Sequence, residues 1–358
     1  MELNQTPVRT SVNYGINAIN IKNFEKNANF TKNTTKNNGN LLNFNNYTIK
    51  NADNIIIDDN TNYEIDNYLN DEIKEEIISN SNLKLNINVV KNSDFPTILE
   101  FNLDDYPTLI ETLNIKVKND INAKLIIRYS AKNTLSAYHN QVFKINIEDN
   151  ANANIIIVSD LGTLSNAFIS IESTLQKNAN LTLNIVDFSL NNSIYNYKSK
   201  ILGENSNSNI NTLYMGNESA TIDINYLIEI YSPFSKANME VIGALNDESR
   251  KHFKGTIDFK KGCKKSIGNE NDFCMLLSNK TKSKSLPMLL CTEEDVDGKH
   301  SSSVGKVNEK ELFYIMSRGL NYDEARKLIV KAKCTNIINQ LFDEDLKNEI
   351  LNKIDGKI

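Results

Sequence analysis

The segment 179-ANLTLNIVDF decides the fold class, because its apolar and polar residues alternate with a period of two. Leu181, Leu183 and Ile185 fall on one side of an extended chain, whereas Thr182 and Asn184 fall on the other. This pattern predicts a β-strand with one buried face.

Four other segments share this arrangement: a small or polar residue, an Asn, and then alternating apolar positions. They are 121-INAKLIIRY, 153-ANIIIVSDL, 208-SNINTLYMG and 237-ANMEVIGAL. The Asn residues of the five segments are Asn122, Asn154, Asn180, Asn209 and Asn238, and successive spacings are 32, 26, 29 and 29 residues. Periods in this range are typical of stacked supersecondary units. We therefore predict a β-solenoid whose coils share one apolar interior.

A β-sandwich is the alternative, since it would also give many short strands separated by polar turns. Sandwich hairpins are usually rich in Gly and Pro, however, and this chain of 358 residues has only 13 Gly and 5 Pro. The run 155-IIIV is apolar at every position. It predicts burial on both faces, as when a helix or a partner covers the strand.

Asn is over-represented, above all in residues 1–80. Asn tolerates left-handed backbone conformations and caps turns, but an AT-rich genome would give the same excess. We give codon bias more weight in the N-terminal region and less weight in the middle of the chain.

The chain is predicted to have three parts. Residues 1–80 form an N-terminal region that is partly helical or irregular, residues 81–300 form the solenoid core, and residues 301–358 form a C-terminal helical domain attached to its end.

The N-terminal region contains two predicted elements. The stretch 71-DEIKEEIISN predicts a short helix with Ile73, Ile77 and Ile78 on one stripe, and 51-NADNIIIDD predicts an isolated strand. Leu103 to Ile115, which contains Pro107, is interpreted as a turn between coils.

Three helices are predicted in the C-terminal domain. Asn308 and Glu311 mark the start of the first, which ends at Gly319, and Asn321 and Glu324 repeat the capping pattern at the start of the second. The apolar spacing from Leu346 onward predicts the third.

Composition excludes several classes of function. The 40 Lys and Arg residues are balanced by 45 Asp and Glu residues, so nucleic acid is not an expected partner. No window approaches the roughly 20 apolar residues that span a bilayer, and no export signal is recognisable. The four cysteines are too sparse for a disulfide framework. We therefore expect a cytoplasmic protein with reduced thiols and no membrane partner.

The sequence also carries little sign of catalysis. The segment 262-GCKKSIG lacks the spacing of a phosphate-binding loop, and standard hydrolase motifs are missing. A carbohydrate-active solenoid enzyme would use charged clusters. Asp247, Glu248, Arg250 and Lys251 are the nearest candidates, but we interpret them as a solvated loop.

The segment 297-DGKHSSSVGKVNEKELFYIMSRGLNYDEA resembles the hallmark of the SufB/SufD family of iron–sulfur cluster assembly proteins. The residues that carry the resemblance are His300, Ser303, Val304, Gly305, Leu312, Phe313, Tyr314, Ser317, Arg318, Gly319, Glu324 and Ala325. Upstream, 253-FKGTIDFKKGCKKSIGNENDFCMLLS and 286-LPMLLCTEEDVDGKH resemble further family segments.

The resemblance implies a mainly β protein, a right-handed parallel β-helix with small helical N- and C-terminal regions. It implies a non-catalytic scaffold that pairs with a SufB-like subunit or with itself and docks a SufC-type ABC ATPase. A cysteine desulfurase would supply sulfur indirectly, and an iron–sulfur cluster would be held transiently at the subunit interface.

Two departures favour a SufD-like member. The cluster-related cysteine of SufB aligns with Phe273, one residue before Cys274, so in a strand the thiol points to the other face. Lys299 and Ser301 replace the acidic neighbours of the SufB histidine. A SufB-like cluster-holding scaffold remains the first alternative, and a β-helix carbohydrate-active protein the second.

The resemblance also suggests the site residues. His300 is the candidate iron or cluster ligand, because imidazole binds iron well. Cys274 and Cys291 are secondary candidates, since adjacent coils could bring them near it. Phe313, Tyr314 and Arg318 are the candidate contacts for the ATPase.

Overall fold

The computed structural model describes residues 2–7, 16–21, 36–37, 40–41, 43–58, 67–132, 134–162, 164–188 and 191–358. The strands are β1 (Glu2–Leu3), β2 (Ile19–Asn20), β3 (Lys36–Asn37), β4 (Asn40–Leu41), β5 (Tyr47–Lys50), β6 (Ile55–Asp58), β7 (Leu83–Val89), β8 (Thr97–Asn102), β9 (Thr108–Val117), β10 (Asn122–Ser130), β11 (Tyr138–Ile147), β12 (Asn152–Asp160), β13 (Asn166–Leu175), β14 (Asn180–Asp187), β15 (Asn192–Ile201), β16 (Asn207–Gly216), β17 (Thr221–Ile230), β18 (Lys236–Leu245), β19 (Arg250–Phe259), β20 (Ile267–Leu276), β21 (Lys282–Cys291) and β22 (Asp297–Lys306). The helices are α1 (Asp71–Asn80), α2 (Glu309–Met316), α3 (Tyr322–Gln340) and α4 (Glu344–Lys357).

The strands from β7 to β22 form a β-solenoid of eight coils in the described chain, as the sequence predicted. Each coil contributes one strand to each of two sheets. Sheet 1 runs from β5 through β8 and the even-numbered strands to β22, and sheet 2 runs from β6 and β7 through the odd-numbered strands to β21. Neighbouring coils pair in parallel, whereas β5 and β6 close the first coil in antiparallel fashion.

The solenoid interior is mainly apolar, because every second residue of each strand points into it and most of these residues are hydrophobic. Leu181, Leu183 and Ile185 are fully buried there, as the alternation predicted. The register corrects the proposed repeat: Asn122 aligns with Asn152, and not with Asn154. Asn180, Asn207 and Lys236 continue this column, so its true spacings are 30, 28, 27 and 29 residues. The predicted alignment is displaced by two residues at Asn154, Asn209 and Asn238, and an even displacement leaves every side chain on its predicted face.

Asn residues stack in ladders along the turns. Asn150 donates from Nδ2 to Oδ1 of Asp120 at 3.0 Å, Asn178 donates to Asn150 at 2.8 Å, and Asn205 donates to Asn178 at 3.0 Å. These three Asn residues have φ between 54 and 58°, which is a left-handed conformation that Asn tolerates well. The excess of Asn in the middle of the chain therefore has a structural role.

The C-terminal helices cover the outer face of sheet 1. Ile155 and Ile157 point into the interior, whereas Ile156 and Val158 pack beneath α3 and α4, so 155-IIIV is buried on both faces as predicted. The helices were predicted to be attached to the end of the solenoid. They follow the last strand directly and fold back over the outer face of sheet 1, where they remove its outward apolar residues from water.

Described segments of the N-terminal region, which include Leu3, Ile19 and α1, cover the outer face of sheet 2. The helix predicted over residues 71–80 is α1, and Ile73 and Ile77 are buried against this sheet. Ile78 does not share their stripe, because it is 64% exposed. Five residues beyond Ile73, it lies about 140° around the helix.

Two other predictions are corrected. The strand β6 is not isolated, because it pairs in antiparallel fashion with β7. The segment from Leu103 to Ile115 is a turn only as far as Pro107, and strand β9 begins at Thr108. None of the helices in the described residues is long and apolar enough to cross a membrane.

Candidate functional site at the open end of the solenoid

The last coil leaves one end of the solenoid uncovered. β21 and β22 are the terminal strands of their sheets, so each has one unpaired backbone edge. Nine of the ten residues of β22 are exposed. This end is the part of the described solenoid at which its interior side chains meet solvent.

His300 lies on β22 and faces the interior side of this open end. Two neighbours on the same side establish its direction. A Cβ added at Gly298 would lie 3.1 Å from Leu289 and 3.2 Å from Phe259, which are interior residues. Ser302 donates to Oδ2 of Asp272 at 3.3 Å. Because successive residues alternate, His300 between them shares their face. Its ring is exposed for lack of a further coil.

Glu270 lies directly beneath His300, as its Cα partner on β20. Its side chain is 2% exposed. Burial raises the pKa of Glu270 to about 8, and the charge of Asp272 adds to this, whereas the backbone amide of Met288 lowers it. The carboxyl group fits only because residue 255 is glycine, since a Cβ there would overlap Oε1 of Glu270.

Lys251 and Asp272 form an ion pair inside the last coils, and neither side chain is exposed. The ammonium also lies 5.2 Å from the ring centre of Phe253 and 5.9 Å from that of Tyr214. Interpreting Lys251 as part of a solvated loop was therefore wrong, because its register places it on the inward face of β19. The signal was available: Lys251 has the same parity as the apolar residue Phe253.

Cys274 lies in the interior and is fully buried. Burial raises the pKa of its thiol, although Lys251, Tyr214 and Ser283 oppose this shift. The Cα partner of Cys274 on β22 is Val304, four residues beyond His300. Four residues of strand span about 13 Å, so the thiol is not beside the imidazole.

Phe273, the neighbour of Cys274, points outward and packs against the layer of the C-terminal helices. The position that aligns with the cysteine of SufB, Phe273, therefore faces outward, whereas the thiol of Cys274 faces the interior.

Cys291 is exposed at the end of β21. Its Sγ donates to the carbonyl oxygen of Glu293 at 2.8 Å. It lines a cavity of about 610 Å³ at the open end, together with Phe259, Leu289, Gly298 and the turn that contains Glu293. His300 is two residues beyond Gly298, so Cys291 and His300 both lie at this end of the solenoid.

The three candidate ligands do not form one cluster. Within the described ranges, no group of three or more His, Cys, Asp and Glu side chains is arranged to hold a metal ion. His300 is thus a single exposed imidazole with a buried carboxyl group below it.

The helix that follows the site presents an apolar surface. Of the residues of α2, only Leu312 is buried, while Phe313 is 73% and Tyr314 is 58% exposed. Arg318 donates to the hydroxyl of Tyr314 at 2.9 Å, and its guanidinium lies 5.2 Å from the ring centre. We call the exposed side chains of Phe313, Tyr314 and Arg318 the α2 surface.

Comparison with known proteins identifies the family. Residues 101–333 match the family model described as SUF system FeS cluster assembly, SufBD core domain. The chain is 25% identical to the iron–sulfur cluster assembly protein SufD of Escherichia coli over 238 residues, which is 66% of this chain and 56% of that protein. It is 26% identical to SufD of Bacillus subtilis over 158 residues, which is 44% of this chain and 36% of that protein.

A SufBD family protein of Pyrococcus horikoshii is 30% identical over 131 residues, which is 37% of this chain and 29% of that protein. The matches thus cover little more than half of these relatives at most. Since the family model extends over well more than half of the chain, from β8 into α3, the chain belongs to the SufBD core family of the SUF system for iron–sulfur cluster assembly.

Proposed function

We propose that this chain is a SufD-like scaffold subunit that helps to assemble iron–sulfur clusters and has no catalytic activity of its own. It pairs with a SufB-like subunit or with a second copy through the open end of the solenoid, and it works in the cytoplasm. The single observation that supports this proposal best is an exposed His300 on a terminal strand whose backbone edge is unpaired.

The unpaired edges of β21 and β22 suit a partner that adds further strands. Edge strands readily pair with another chain, since their N–H and C=O groups lack partners. Such a partner would enclose His300 at the junction. The cluster is cargo in this proposal: His300 supplies one nitrogen ligand, and thiolates of the partner supply the others.

The α2 surface is the proposed docking site for a SufC-type ABC ATPase. An exposed Phe and Tyr beside an Arg are the residue types that dominate the binding energy of many interfaces. A cysteine desulfurase would deliver sulfur to the complex without contacting this site directly.

Reconstitution of the complex tests the proposal. The chain is copurified with a SufB-like subunit and the ATPase, and cluster formation is followed by the absorbance of the cluster. We expect His300→Ala to abolish or strongly slow cluster formation and Lys177→Ala, which removes an exposed ion pair with Glu204, to leave it intact. A normal rate with His300→Ala contradicts the ligand role.

A SufB-like cluster-holding scaffold is tested separately. Such a scaffold would hold a cluster alone after anaerobic reconstitution with iron and sulfide, and Cys274 or Cys291 would be its thiol. The full burial of Cys274 argues against this role. We expect the isolated chain to retain no stable cluster.

A further inference from the structure

Glu270 is a buried carboxyl group whose hydrogen-bonding capacity is not met. Among the described residues, neither of its oxygens accepts a hydrogen bond of good geometry. The backbone amide of Met288 is the one group that favours its charged form. An unsatisfied buried carboxyl group is costly, so such a group in a native protein calls for an explanation.

Two interior polar groups of the last coils are already engaged by Asp272. The ammonium of Lys251 pairs with Asp272, and the hydroxyl of Ser302 also donates to Asp272. His300 is different, since no hydrogen bond or ion pair of the described chain involves its ring, and it is the Cα partner of Glu270. Adjacent strands are about 4.8 Å apart, and the two side chains lie on the same face.

We infer that Glu270 is a positioning residue that orients the imidazole of His300 by accepting a hydrogen bond from one ring nitrogen. The other nitrogen then faces the open end of the solenoid. This inference rests on the proposed role of His300 as a ligand. A carboxyl group behind a ligating histidine fixes its tautomer and its ring orientation, and removing such a group typically weakens metal binding 10- to 100-fold.

The hydrogen bond becomes stronger when a partner covers the open end. In the free chain, water competes for both nitrogens of the exposed ring. A partner removes that water, and the unpartnered carboxyl group of the residue beneath is then available as an acceptor on the interior side. Gly255 supports the arrangement by leaving room for the carboxyl group across the interior.

Nitrogen NMR of the full chain tests this inference directly, because the protein has only three histidines. Ring nitrogens are labelled with ¹⁵N, and the signals of His300 are assigned by their loss in His300→Ala. His139 and His252 act as internal references. The variants are Glu270→Leu, which removes the acceptor, and Glu270→Gln, which keeps an oxygen acceptor of similar size. Glu248→Gln, at an exposed position, is the charge-matched control.

We expect the neutral ring of His300 to favour one tautomer more strongly in the native chain, in Glu270→Gln and in Glu248→Gln than in Glu270→Leu. In the reconstituted complex, Glu270→Leu should slow cluster formation roughly 10-fold, with rescue by Glu270→Gln. If the His300 signals of Glu270→Leu match those of the native chain, the positioning role is overturned.

A result that contradicts the proposed function can be distinguished from a result that contradicts the inference about Glu270. Normal cluster formation with His300→Ala contradicts the proposed function, whereas unchanged ring signals in Glu270→Leu contradict only the inference about Glu270. Loss of the folded state is not a concern for Glu270→Leu, since it replaces an unsatisfied buried carboxyl group with an apolar side chain.

Discussion

Lys254 donates from its ammonium to both carboxylate oxygens of Asp223, at 2.7 and 2.9 Å, and neither side chain is exposed. The N-terminal segment completes this pair on the outer face of sheet 2. Asn4 accepts a hydrogen bond from Lys254 at its carbonyl oxygen at 3.0 Å and donates from Nδ2 to Asp223 and to the carbonyl oxygen of Tyr195. Residues near the start of the chain therefore hold together strands that lie 190 to 250 positions away.

Replacing Lys254 should destabilise the protein strongly. Lys254→Met leaves the carboxylate of Asp223 buried without its cation, which typically costs about 3–5 kcal/mol. Urea unfolding followed by circular dichroism measures the loss. Lys280→Met is the matched control, because Lys280 forms an exposed pair with Glu248, and its removal should leave the unfolding midpoint unchanged. Equal effects of the two variants would contradict the prediction.

The buried pair of Asp223 and Lys254 also predicts that the stability of the protein falls in acid. Burial alone would raise the pKa of Asp223, but Lys254 and His252 outweigh it and hold the pKa below the usual value of 3.8. The stabilisation is therefore present above pH 4 and is lost as the pH falls through the lowered pKa. Compared with Asp223→Asn, the native chain should lose more stability between pH 5 and pH 2, as recorded by thermal unfolding.

The raised pKa of Glu270 predicts the opposite effect, a loss of stability as the pH rises. Its pKa rises from 4.5 to about 8 in the folded protein, so folding favours the protonated form. Its contribution is fully present below pH 4.5 and is lost as the pH rises toward 8, at about 1.4 kcal/mol for each pH unit between these two values. Glu270→Gln should therefore gain thermal stability relative to the native chain as the pH rises from 5 to 9. An equal difference in melting temperature at both pH values would contradict this.

The Asn ladder predicts a preference for glycine over alanine at position 178. Asn178 has a φ of 54° and bonds to Asn150 and Asn205. Asn178→Ala loses these bonds and is strained, at a cost of about 1–3 kcal/mol, whereas Asn178→Gly loses the bonds without the strain. Urea unfolding should rank the native chain first, Gly second and Ala third. A lower stability of the Gly variant would argue against strain at this turn.

Thiol reactivity should single out one cysteine. Cys291 is exposed, whereas Cys263, Cys274 and Cys334 are buried. Burial raises the pKa of Cys263 to about 11 and that of Cys334 to about 12, which suppresses their reactive thiolate forms. An aromatic disulfide reagent should modify one thiol of the native chain quickly and all four in denaturant. Cys291→Ser should abolish the fast reaction.

The repeat pattern predicted the coils because burial acts on every second residue, and this alternation survives a misaligned repeat. The pattern could not predict that β6 pairs with β7 or that Asn4 joins Lys254, since these contacts join segments whose sequences carry no shared period. Lys251 was predicted wrongly for a related reason. A charged side chain is normally predicted to be exposed. Only the register of the strands shows that Asp272 neutralises the charge of Lys251 within the interior.

The candidate site was predicted from a resemblance and not from periodicity. Composition and spacing gave no reason to prefer His300 over His139 or His252, whereas the structure separates them. Those two are shielded and lie near carboxylates, and His300 alone is exposed on a terminal strand. Glu270 was missed because its significance lies in its register with His300, which requires the pairing of strands 30 residues apart.

Only Val307 and Asn308 separate the end of β22 from the start of α2. Two residues of fully extended chain span at most about 7 Å, so the connection has almost no slack. Force applied to the exposed rings of α2 would therefore be transmitted to the strand that carries His300 as tension along the backbone, in addition to the path through the packing of Leu312.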